Sequence, residues 1–101
     1  MSNSYFINPI LLDTFTSDID VGNEICGMTD IPFYVEHIEW QKPTNTTHHA
    51  VITDSYGATV FDEQCTVANQ SVFKPFGGMI IMGLKVASGA VDSGKISIKL
   101  S

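Results

Sequence analysis

Arginine is missing from this chain: its five basic residues are all lysine, set against eleven acids, for a formal net charge of −6 over 101 residues. Arginine is the residue that forks onto phosphates and reads guanine edges, and backbone neutralisation supplies most nucleic-acid affinity. Nucleic acid is therefore excluded as a partner. Long apolar runs are missing too: no stretch reaches the roughly 18 residues of a membrane span, so no membrane role is expected. The opening "MSNSYFINPILLD" has neither a basic start nor a small-residue cleavage site, and Pro9 interrupts its apolar run. The expectation is a protein made and kept in a cytosol, or assembled into something from there. Cysteine is scarce, with Cys26 and Cys65 standing alone and no C-x-x-C spacing, which in a reducing compartment reads as two free, buried thiols.

Catalytic and metal-binding patterns are equally thin. His48 and His49 are neighbours, which on a strand point to opposite faces, and His37 lies eleven residues upstream. None of the three has zinc-ligand spacing. "DIDVGNE" offers Asp18, Asp20 and Glu24 as oxygen donors, but Val21 falls where a calcium loop continues its alternation. Glu36 and Glu39 fall on opposite strand faces, so they cannot share a glycosidic bond. No G-x-S-x-G and no phosphate-binding loop occurs. The chain is read as a non-enzyme with no metal, catalytic residue or cofactor.

What the chain has in plenty is Val, Ile, Thr, Phe and Tyr in short runs between turn residues, and no eleven-residue window keeps an apolar face at helical spacing. At this length it is one domain, 1–101, with residues 1–12 readable as an extended N-terminal arm. "TFTSDIDVG" alternates Phe15, Ile19 and Val21 against polar neighbours and predicts a half-buried strand. In "IPFYVEHIEWQK", Tyr34, Ile38 and Trp40 share one parity and Phe33 and Val35 the other, so both faces read as partly apolar. "AVITDSYGATVF" predicts a hairpin turning on Asp54 to Gly57. Pro75, followed by Gly77 and Gly78, predicts an edge or a bend. "MIIMGLKVA" predicts a strand buried on both faces over its first half. It would turn at Asp92-Ser93-Gly94 and form a hairpin with "KISIKL", whose Ile96, Ile98 and Leu100 alternate with Lys95, Ser97 and Lys99. Seven or so such strands make an all-β, antiparallel β-sandwich, jelly-roll-like, with a small open β-barrel as the alternative.

The C-terminal half resembles a known group. "VITDSYGATVFDE", "VFKPF", "GLKVASG" and "SGKISIKL" follow one another as in small auxiliary structural proteins of tailed-bacteriophage virions. The matching positions are Asp54, Gly57, Phe73, Pro75, Gly83, Leu84, Val86, Ser93, Gly94, Ile96, Ile98 and Leu100, within residues 48–101. The resemblance implies a capsid decoration or stabilising protein, or a head–tail component. Such a chain would be present in many copies on the major capsid shell of the virion and would be a homo-oligomer, with a trimer favoured.

The expected contact residues are Tyr5, Phe6, Ile7, Leu11 and Leu12 of the arm, with Met79, Ile81 and Met82. Seven acids and no base lie in residues 1–41, while residues 66–101 hold four lysines against Asp92. Such opposite patches could also join copies, and assembly built on them would weaken as salt rises from about 0.05 to 0.5 M. The alternative function is a carbohydrate- or receptor-binding module of a phage tail or adhesin, with Trp40 and Tyr56 as stacking aromatics.

Overall fold

The computed structural model describes residues 3–101. Eight strands and one short helix follow in the order β1 (Ile10–Leu12), β2 (Ile19–Asp20), α1 (Val21–Cys26), β3 (Pro32–Gln41), β4 (His49–Thr53), β5 (Thr59–Gln64), β6 (Val72–Met82), β7 (Lys85–Val86) and β8 (Lys95–Leu100). They form two four-stranded sheets, β1-β8-β3-β6 and β2-β7-β4-β5. Strand 1 pairs with 8, 2 with 7, 3 with 6 and 4 with 5, all antiparallel. That nesting is a long hairpin rolled into two layers, which is the jelly-roll sandwich; neither sheet closes into a barrel.

The core lies between the layers. Ile10, Leu12, Val35, Ile38, Trp40, Ile96 and Ile98 from the first sheet meet Ala50, Ile52, Phe61, Leu84 and Val86, most of these from the second. Strand parity places most of these side chains inward, and the Trp40 indole N–H is satisfied by donating to Ser93 O at 2.7 Å.

Four expectations are corrected. In β3 the pairing shifts between Val35 and His37 on both sides of the strand. This bulge places two outward residues in succession. Phe33 and Val35 thereby face the same core as Ile38 and Trp40, and Tyr34 turns outward. Most of residues 14–22 is not a strand. Only Ile19–Asp20 pairs; the Asp20 carboxylate then accepts the Asn23 N–H at 3.1 Å and starts α1, which Gly27 ends at φ 75°.

The "MIIM" strand is not covered on both faces: Met79 and Ile80 are each about half exposed and Ile81 is buried, on a strand at the edge of its sheet. The C-terminal hairpin is not one either. β7 and β8 lie in opposite sheets, the chain having changed layers at Gly83, φ 81°, where a Cβ would come within 2.7 Å of Thr29 O and Ser55 Cβ. The Asp54 hairpin forms as expected: Gly57 takes φ 84° and the Asp54 carboxylate accepts the N–H groups of Tyr56 and Ala58, each at 2.9 Å.

Candidate interaction surface

Residues 3–12 do not extend away from the domain. Ser4 and Leu11 exchange backbone hydrogen bonds at 2.8 and 3.1 Å, and Asn3 Oδ1 accepts the N–H groups of Asp13 and Thr14. The Asn8 amide binds both the N–H and the C=O of Leu100, at 2.8 and 2.9 Å. The segment is therefore a hairpin folded back along the sheet's β1 edge, with Phe6 and Ile7 at its tip.

Register decides what surrounds that tip. Leu100 and Met79 are both opposite Val35, Ile80 is opposite Tyr34, and Ser101 donates its N–H to Tyr34 O. Phe6 (78% exposed), Ile7 (51%), Tyr34 (53%) and Ile80 (53%) thus lie at one end of the first sheet, while Met79 (52%), opposite inward-facing Val35, is exposed on the other face of β6. Three strand spacings of about 4.8 Å put the two ends of this row roughly 14 Å apart. Two chain segments expected as contacts lie at the same end of this sheet, with Tyr34 of β3 between them. Tyr34 was missed because parity alone grouped it with buried Ile38 and Trp40, from which only the bulge separates it; Ile80 lies within the Met79–Met82 strand expected as a contact.

The other expected contact residues divide by depth. Leu12 and Ile81 are buried in the core and cannot present a surface; Tyr5, Leu11 and Met82 are half-buried.

Beside Met79 a groove of about 600 Å3 opens between the two edge strands, walled by Val60, Phe76, Met79 and Met82 and rimmed by Asp54, Tyr56 and Lys74. Lys74 Nζ lies 5.5 Å from the Phe76 ring centre and 3.4 Å from Val60 O. Tyr56 donates its phenolic O–H to Asp30 Oδ2 at 2.7 Å. That bond, then the Asp30 charge, a little desolvation and the Asp54 charge, raise the Tyr56 pKa above the ordinary 10.0.

Several of the aspartates, within residues 1–41 and beyond, are engaged inside the chain. Asp18 accepts the Ser88 N–H and Asp92 the His49 N–H, while Asp20 and Asp54 hold a helix start and a turn. Asp30 holds both Ser55 Oγ and Tyr56 Oη. Asp18, Asp20, Asp54 and Asp92 hold backbone N–H groups in separate loops and Asp30 ties two side chains together, which is a different use from one docking patch.

Trp40 is sealed in the core and cannot stack on a ligand, whereas Tyr56 is 73% exposed. His48 Nδ1 lies 2.7 Å from Ser93 Oγ, whose oxygen also accepts the Thr44 N–H. The His37 ring lies tilted at 45° to that of Phe73, their centres 4.7 Å apart. Among the described residues no three His, Cys, Asp or Glu side chains gather as a metal site; of the two thiols expected to be buried, Cys65 is, whereas Cys26, at the end of the short surface helix α1, is exposed. No family model, curated protein or solved structure matches the chain.

Proposed function

We propose that the protein is a non-enzymatic structural component of a tailed-phage virion, a decoration or stabilising protein carried in many copies on the capsid shell. The observation that carries this reading is the exposure of Phe6, Ile7, Tyr34 and Ile80 at one end of the first sheet, with Met79 exposed on the opposite face of β6. Several exposed apolar residues at one end of a sheet support a contact surface there. The fold agrees with the reading without requiring it, since jelly rolls serve both capsids and lectins. The residues that carry the likeness to virion proteins sit at turns and strand positions: Asp54 and Gly57 at a hairpin, Pro75 on an edge, Gly83 and Gly94 at positive φ.

A glycan- or receptor-binding role would rest on Tyr56 alone, with its hydroxyl already engaged by Asp30. Density-gradient banding of particles from a lysate that expresses the gene tests the proposal. The chain should co-band with the major capsid protein and be lost from Phe6→Ser/Tyr34→Ser particles; a chain found only in the soluble fraction overturns it. Specific binding on a glycan array, lost in Tyr56→Ala, would favour the alternative.

A further inference from the structure

We infer that the open stretch of β6 is covered by a second copy of this chain, the two β6 strands pairing antiparallel about a two-fold axis at Ile80. This rests on reading that end of the sheet as a contact surface and is independent of the virion assignment.

Backbone direction comes first. Gly83 donates its N–H to Ile31 O at 2.8 Å, so with the register Phe33 to Ile81 and Val35 to Met79 the odd residues of β6 turn toward β3. The even residues turn off the sheet, and Met82 O does so to accept the Ser55 N–H at 2.9 Å. Ile80 is thus left with both its backbone groups pointing off the edge.

On either side the edge is closed. Toward the C-terminus Ser55 caps Met82; toward the N-terminus Gly77 and Gly78 bend the strand at φ 63° and 85°, and Pro75 has no N–H to offer. An extended foreign peptide would find one short opening and then collide or leave its own groups unpaired. A second β6 related by a two-fold axis has the same short opening and bends away on both sides of it. Antiparallel pairing of a strand with itself is isologous, so it gives a dimer and not the trimer expected from the resemblance.

The side chains fit this arrangement. Ile80 is opposite Tyr34 in β3, so pairing would extend the outward row to Tyr34–Ile80–Ile80–Tyr34 across the axis. Met79 and the groove it lines would be covered from the other side. At about 200 Å2 for a large side chain, the exposed parts of Tyr34, Tyr56, Met79 and Ile80 amount to roughly 450 Å2. That is more than half of the roughly 800 Å2 a standard interface takes from each partner. Half-buried Val60, Phe76 and Met82 add to it.

Light scattering after size exclusion, at loads up to on the order of 100 μM, should give twice the 11.0 kDa chain mass. Because the contact is apolar and each copy carries −6, the dimer should hold or strengthen between about 0.05 and 0.5 M salt. Ile80→Lys should give a monomer with unchanged near-ultraviolet dichroism from Trp40. A hydrogen-bonded antiparallel pair sets its Cα atoms about 5.5 Å apart, within disulfide range. Ile80→Cys in a Cys26→Ser background should therefore oxidise to a covalent dimer, while Val67→Cys in the same background should not.

A wild-type monomer or trimer, assembly that weakens with salt, or an Ile80→Lys protein that stays dimeric would each overturn the inference. A dimer that fails to co-band with capsids would leave this inference standing and remove the virion reading instead.

Discussion

Gly94 has no room for a side chain: an added Cβ would collide with Gln41 O and lie 3.1 Å from Trp40 Nε1, and its φ is 75°. Gly94→Ala should cost at least about 1 kcal/mol from the left-handed backbone and more from the collision, read as a lower urea midpoint at unchanged m-value. Trp40 stands on the other side of the same turn. Trp40→Ala should cost about 3–5 kcal/mol, since it opens a cavity and leaves Ser93 O without its donor.

At the surface, Tyr56 is held neutral by Asp30. Its folded pKa lies above the unfolded value, so its small contribution to stability is complete below about pH 10 and is lost as pH rises through the folded pKa. Absorbance titration should show Tyr56 titrating above the ordinary range, and Asp30→Asn should lower it toward 10.0.

Among the elements, β6 is the one whose design is divided. Its first half carries Lys74 and Pro75, a charge and a residue without a ladder donor, which is how natural sheets blunt an edge. Its second half, Met79–Met82, carries neither. Replacing both guards, Lys74→Thr with Pro75→Val, should lengthen the open strand and turn a discrete assembly into progressive aggregation, visible as rising turbidity during mild heating. If that variant stays discrete and clear, the Gly77–Gly78 bend alone terminates the edge. β3 shows the complementary device. A bulge near Glu36 lets four apolar residues face the core while Tyr34 and His37 turn out, which a strictly alternating strand of ten residues could not do.

At the scale of the whole molecule, the ends of the chain are neighbours: β1 pairs with β8 along Ile10–Ile98, Leu11–Ser97 and Leu12–Ile96. Removing residues 1–12 should therefore unfold the protein, since it strips Ile10 and Leu12 from the core and uncovers β8, with each lost large side chain worth about 2–5 kcal/mol against a total of about 5–15. A dispensable arm would leave a folded domain, so circular dichroism of the truncated chain separates the two. Nested pairing of distant strands also predicts slow folding, on the order of milliseconds to seconds, in stopped-flow refolding.

Strand content, the Asp54–Gly57 turn, the edge position of Pro75 and the alternation of Ile96 with Ile98 were all legible in the residues, because each follows from local backbone preference or from a period of two. The layered antiparallel architecture followed from their number and spacing. Four things were not legible: the bulge in β3, the change of layer at Gly83, the capping of α1 by Asp20, and the gathering of Phe6, Ile7, Tyr34 and Ile80. A bulge costs one residue of register and leaves little trace in composition, yet it reverses the parity of everything after it. Gly83 reads as an ordinary strand glycine until Thr29 O and Ser55 stand against it. Local sequence determined which residues wish to be strands; which strands lie side by side, and so which apolar residues are left at the surface, was decided by long-range pairing that only the packed molecule specifies.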